Sequence, residues 1–136
     1  METVLGLDVG ERRIGIAVGE GTFAFPHSTL ERTNVRDDVA AIVAIAKERG
    51  AGTIVVGDPL TLGGQRALAS EKIDAFVAHL ARAYGGTIER VDERLTTAAA
   101  QRALIAADVS RAKRKKVVDQ LAAVGILETW LARRPR

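Results

Sequence analysis

The sequence predicts an α/β architecture, a mixed five-stranded sheet flanked by helices, and three observations carry that expectation. Strand-like segments open the chain with only short turns between them, later apolar runs are separated by amphipathic helical stretches, and the C-terminal part is helical in pattern throughout. The order β-β-β-α-β-α-β-α-α joins the first strands as hairpins and the later ones through helices, which gives antiparallel and parallel pairs in one sheet. The 136 residues suit one domain spanning 1–136.

Each element reads in turn. Residues 3–9 form the first strand, their VLGLDV run apolar on both faces as a covered central strand should be, and RRIGIAVG (12–19) forms a second strand reached through Gly10 and Glu11. FAFPHSTL (23–30) is a third strand, where Pro26 favours an edge or a bulge. Val39, Ile42, Val43 and Ala46 set a helical spacing over 35–49, and Gly50 stops it. TIVVG (53–57) is a short buried strand, followed by the turn-rich DPLTLGGQR. Residues 67–83 form a second amphipathic helix through Leu68, Ile73, Phe76, Val77 and Leu80, ended by Gly85-Gly86. TIERVD (87–92) is the fifth strand, and two helical stretches follow, over 97–107 and from Ser110 as N-cap to about 132.

Composition narrows the chemistry. No apolar stretch approaches the roughly 18 residues of a membrane span, and the N-terminus lacks a signal-peptide pattern, so a cytoplasmic protein with no membrane role is expected. Without cysteine, disulfides, thiolate catalysis and Cys-built zinc sites are excluded. His27 and His79 have no ligand spacing between them. The net charge of +3 hides an asymmetry: residues 111–136 hold 8 basic and 2 acidic side chains, so the basic character is C-terminal. Such a patch is either a polyanion-binding face or a solvated helix surface.

One letter in the first strand is out of place. An ionised Asp8 inside an apolar run is costly unless it is paired, hydrogen-bonded or bound to a cation. Asp92 and Glu93 end the fifth strand, where open α/β sheets commonly carry their chemistry. Asp119 is a second misplaced carboxylate, sharing a helical stripe with Ala123, Ile126 and Trp130. Converging acids repel one another unless a cation is present. Oxygen ligands without His or Cys select Mg²⁺ or Mn²⁺, and two such ions about 3.5–4 Å apart orient a water and stabilise a leaving oxygen in phosphodiester cleavage. The competing explanation is that Asp8 and Asp119 make structural hydrogen bonds or ion pairs with nearby Arg or Lys.

Three segments, GLDVGERRIGIAV, VDERLTT and RKKVVDQLAAVGILETWL, resemble the signature segments of the YqgF/RuvX family of small RNase H-like nucleases, and the similarity runs nearly the whole chain. The resemblance implies an RNase H-like fold with Asp8, Glu93 and Asp119 as metal-binding catalytic acids. It also implies Arg13, Arg94 and Thr96 as residues on the substrate side. One departure is GDP at 57–59, where the family usually has an apolar residue in the middle; Asp58 either caps the strand end or adds negative charge near the metal.

The remaining residues fit a polyanionic substrate. Arg111, Lys113, Arg114, Lys115 and Lys116 directly precede the Asp119 segment and suit contacts to the phosphate backbone. Pro59, Gly63 and Gly64 form either a phosphate-cradling loop or an ordinary surface loop. Gly6, Gly10 and Gly15 allow close backbone approach around the first strand. Few and scattered aromatics argue for recognition by shape and backbone.

Two substrates are attached to the family, the 5′ end of precursor 16S rRNA and four-way DNA junctions, and the rRNA role is the preferred expectation. Junction resolution nicks two strands in concert and implies a two-fold homodimer. Two readings of other classes compete: an actin-like ATPase or sugar kinase, whose D-x-G turn resembles Asp8-Val9-Gly10 but which needs a second lobe, and a catalytically silent nucleic-acid-binding module.

Overall fold

In chain order the elements are β1 (Thr3–Val9), β2 (Arg13–Glu20), β3 (Phe23–Glu31), α1 (Val35–Arg49), β4 (Ala51–Asp58), α2 (Leu68–Ala83), β5 (Thr87–Asp92) and α3 (Arg111–Arg133). The structure, a computed structural model, describes residues 2–58, 68–92 and 111–133. The helix expected over 97–107, the Ser110 cap and the Pro59–Gly64 loop lie outside the described residues.

The strands form one sheet in the order β3-β2-β1-β4-β5. Hairpin connections make β1, β2 and β3 antiparallel neighbours, whereas β4 and β5, reached through α1 and α2, run parallel to β1 and β4 respectively. The mixed sheet is therefore a direct consequence of where the sequence places turns and where it places helices.

Two of the boundaries that differ from expectation do so for evident local reasons. The Gly10 N–H donates to the Arg13 carbonyl at 2.9 Å and closes the first hairpin, so Glu11 and Arg12 form its loop and β2 starts at Arg13. Ala51 and Gly52, poor strand formers on their own, join β4 because Ala51 pairs with Thr3 and accepts a 2.8 Å hydrogen bond from the Tyr84 hydroxyl.

Pro26 meets both of its predicted situations. β3 is an edge strand, and a bulge interrupts its pairing where Ile16 opposes Ser28 and Ala17 opposes Pro26, leaving His27 as the extra residue. On this edge strand Phe23 and Phe25 are 67% and 50% exposed, with ring centroids 6.3 Å apart.

The two sheet faces have different characters. Leu5, Leu7, Ile14, Ile16, Ile54 and Val56 face α1 and α2 and pack with Val39, Ile42, Ile73, Phe76 and Leu80. Each such side chain contributes about 1.5–3 kcal/mol on burial. Val4, Ala17, Val55 and Val91 face α3 and pack with Ala123, Val124, Ile126 and Leu127. Small residues on this second face let the helix lie close, for a Cβ at Gly6 would stand 2.4 Å from Leu127 Cγ. The expectation of close approach at Gly6 is met, and the same holds at Gly15, described below.

α1 carries both end signals. Asn34, in extended conformation, accepts from the Asp37 N–H through Oδ1 at 2.9 Å, and Gly50 closes the helix in the left-handed region at φ 67°. Asn34→Ala is expected to cost about 1 kcal/mol, read as a drop of a few degrees in Tm by thermal denaturation with the fold retained.

Candidate active site

The alternation of β1 places Asp8 on the same face as Val4 and Gly6, toward α3, and the residue is only 8% exposed. Its partner across the β1–β2 ladder is Gly15. A Cβ at Gly15 would lie 1.9 Å from the Asp119 carbonyl oxygen and 2.3 Å from its carbonyl carbon. The backbone of Asp119 thus rests on the residue that faces Asp8, and facing strand residues have Cα atoms only about 4.5–5.5 Å apart. The backbone of Asp119 and the strand position of Asp8 thus both adjoin Gly15 on the α3 face.

Asp119 has a cationic partner there. Arg13 Nε donates to Asp119 Oδ2 at 3.0 Å, both side chains being roughly one-fifth exposed. At that exposure the pair adds little stability, but it fixes a carboxylate oxygen in place. The counter-ion expected for Asp119 by the competing explanation is therefore present: it is Arg13, the first residue of β2. Two further contacts seat α3. Gln120 Nε2 donates to Thr29 Oγ1 at 3.0 Å near its middle, and Trp130 Nε1 donates to Glu89 Oε2 at 3.2 Å near its end.

Glu93, Arg94 and Thr96 lie outside the described residues. β5 ends one residue before Glu93, and its Glu89 and Val91 are directed to α3, the side on which Asp8 lies. Arg111, Lys113, Arg114, Lys115 and Lys116 belong to the opening turns of α3, ahead of Asp119. A helix rises about 1.5 Å per residue, which puts this run within about 12 Å of Asp119 along the axis.

The donor chemistry suits a hard divalent cation. Asp8 and Asp119 offer carboxylate oxygens; His27 is on the edge strand with Nδ1 2.7 Å from Ser28 Oγ, and His79 is exposed on α2. Burial, and then Arg49, push the His27 pKa below the ordinary imidazole value, against an opposing effect of Glu48. Among the described residues no three His, Asp or Glu side chains gather around one point, so the predicted trio depends on Glu93.

Asp58 resolves in favour of a structural role. It is in phase with Ile54 and Val56, on the α1–α2 face, and its carboxylate lies 3.0 Å from Arg90 Nη2. Arg90 also pairs with Asp74 of α2. The extra charge in the GDP segment is thus neutralised on the face opposite Asp8.

Sequence reasoning missed one buried group. Asp38 is 2% exposed and accepts from Arg32 Nε through Oδ2 at 3.0 Å and from the Thr33 N–H through Oδ1 at 3.1 Å. The same guanidinium donates through Nη1 to the Gly10 carbonyl at 2.9 Å and lies 5.5 Å from the Phe76 ring centroid. The nearest signal was an Asp pair, Asp37-Asp38, in the first turn of a helix that needs only one of them for its cap.

Known proteins bear on this geometry. The sequence model of the RuvX family, described as Holliday junction resolvase, matches residues 2–133. A Clostridium perfringens protein named a pre-16S rRNA nuclease is 43% identical over 132 residues, 96% of each chain. A Myxococcus xanthus protein of the same name is 44% identical over 134 residues, 96% of this chain and 89% of its own. Thermus thermophilus RuvC, solved in complex with a Holliday junction substrate, superposes with a TM-score of 0.62 at 13% identity over 97% of this chain and 96% of its own, which shows the RNase H-like fold. With the family matched from end to end and relatives this similar along nearly their whole length, the chain belongs to the RuvX (YqgF) family and is a nuclease.

Proposed function

We propose that this nuclease hydrolyses phosphodiester bonds at the 5′ end of precursor 16S rRNA, with Asp8, Glu93 and Asp119 as the acids that hold its divalent ions. The observation that carries the reading is the seating of Asp119 on Gly15, the β2 residue that faces the buried Asp8. It supports a site in which hard oxygen donors meet on one face of the sheet. Bound there, Mg²⁺ or Mn²⁺ supplies an activated water and stabilises the leaving oxygen. Around the ions the chain's own groups have distinct tasks. Arg13 holds Asp119 by one oxygen, and Arg94 and Thr96 act on the substrate side. Arg111, Lys113, Arg114, Lys115 and Lys116 bind phosphates flanking the cut, offsetting the repulsion between nucleic acid and a carboxylate cluster.

The choice of RNA rests on the relatives at 43% and 44% identity, whose name refers to pre-16S rRNA. A second reading, cleavage of four-way DNA junctions, is favoured by the description of the family and by the likeness to RuvC. It requires a homodimer that places two sites across a two-fold axis. Incubation of the protein with a precursor 16S leader and with a four-way junction, each with Mg²⁺, Mn²⁺ or chelator, separates the two. The expected result is cleavage of the RNA leader that chelator abolishes and added metal restores. Paired nicks in the junction by a dimer, with the leader untouched, would reverse the assignment, and cleavage in chelator would remove the metal from the mechanism.

A further inference from the structure

We propose that Arg32 and Asp38 form a positioning clamp for the hydrolysis, setting from behind the sheet the turn that joins the strand of Asp8 to the strand of Arg13. The inference rests on the reading of Asp8 and Asp119 as the metal-binding acids, and goes beyond it by assigning a role to residues that carry no chemistry of their own.

A continuous series of hydrogen bonds defines the clamp. Asp38 Oδ2 accepts from Arg32 Nε at 3.0 Å, and Arg32 Nη1 donates to the Gly10 carbonyl at 2.9 Å. The Gly10 N–H donates to the Arg13 carbonyl at 2.9 Å, and Arg13 Nε donates to Asp119 Oδ2 at 3.0 Å. The Arg32 N–H adds a bond to the Arg12 carbonyl at 2.9 Å, so both ends of the turn are tied to the segment that enters α1. Gly10 follows Asp8 by two residues, and Arg13 opens the strand that holds Gly15 against Asp119. Any shift of the turn therefore moves Asp8, Arg13 and the seat of Asp119 relative to one another.

The residue types fit this task. Only the arginine fork presents Nε to a carboxylate and Nη1 to a carbonyl with both directions fixed; a lysine of similar length reaches one of them as a point charge. Asp38, at 2% exposure, is satisfied by Arg32 and the Thr33 N–H, and Phe76 supports the guanidinium face. A buried ion pair of this kind is a weak source of stability, since well-packed apolar pairs often serve as well. Its value lies in direction: it aims a donor at one carbonyl beside the site.

The test uses that distinction. The double variant Arg32→Met/Asp38→Leu fills the volume and deletes the directed bond, and Arg32→Lys keeps the charge without the fork. Circular dichroism, Tm, Mn²⁺ affinity by calorimetry, and kcat and KM on whichever nucleic acid the wild type cleaves are measured well below each Tm, with Asp8→Asn alongside. The double variant is expected to fold with a Tm near wild type, while kcat per folded molecule falls about 10- to 100-fold, as misplacement of reacting groups by about 1 Å does. KM is expected to change much less, and Arg32→Lys is expected to fall between the two. A double variant with wild-type kcat overturns the clamp; should it fail to fold, wild-type kcat in Arg32→Lys does the same. An inactive Asp8→Asn beside a fully active double variant sinks only the clamp, whereas an active Asp8→Asn sinks the site reading and the clamp with it.

Discussion

Asp8→Asn is expected to yield a folded protein that no longer cleaves nucleic acid. Asparagine has the shape of aspartate, so the strand and its pairing with Gly15 are preserved, and Tm should stay within roughly 5 °C of wild type. What is lost is a buried anionic oxygen on the α3 face, the group that suits a hard cation. A preorganised electrostatic group is commonly worth about 10²–10³ in kcat, and the loss here should be at least that large. Single-turnover cleavage with Mg²⁺ or Mn²⁺ measures it, and Mn²⁺ calorimetry should show weakened binding in the same variant. Wild-type turnover would take Asp8 out of the site.

Gly15→Ala should damage both stability and catalysis through a single contact. The added methyl would lie 1.9 Å from the Asp119 carbonyl oxygen, where ordinary contact begins near 3.4 Å. The obstacle is helix backbone, which cannot swing aside as a side chain can, so α3 must retreat by about 1.5 Å at Asp119. Overpacking of this kind costs about 1–3 kcal/mol, or roughly 5–10 °C in Tm. Displacement of an acid by that distance should lower cleavage by about 10²-fold even in the folded fraction. Gly52→Ala is the control. Nothing lies within 4 Å of a Cβ there, and the variant should melt within about 0.5 kcal/mol of wild type. Equal melting of the two variants would mean that α3 is not seated on Gly15.

The parts of the fold legible in the sequence were those set by local pattern. VLGLDVG announced a strand covered on both faces, and Val4 through Asp8 are all buried. Pro26 announced an edge or a bulge and has both. The helical stripe from Asp119 through Ala123 and Ile126 runs along the side that meets the sheet. Asp8 and Asp119 stood out in the sequence because a charge in an apolar run is costly unless it is compensated. Arg32 and Asp38 gave no such sign. ERTNVRDD has the composition of a solvated turn and cap, and the Phe76 ring beside the Arg32 guanidinium belongs to α2, remote in sequence. The Arg13–Asp119 pair was equally hidden, because a contact across 106 positions depends on how β2 and α3 dock and not on either segment alone. The side taken by Asp58 was half legible. Its phase with Ile54 and Val56 is written in TIVVGD, but which face carries which helix follows from the crossovers through α1 and α2, which lie together and leave the other face to α3.

The central place of β1 has a consequence for how the enzyme fails on heating. Asp8 stands in a strand bonded to β2 on one side and β4 on the other, away from the two edge strands. Amide protons in such a strand exchange with solvent only when the whole sheet opens, at the full free energy of unfolding. The anchor of the acid is therefore among the last parts of the molecule to loosen, and warming should leave the strand that carries it native until the cooperative collapse of the sheet.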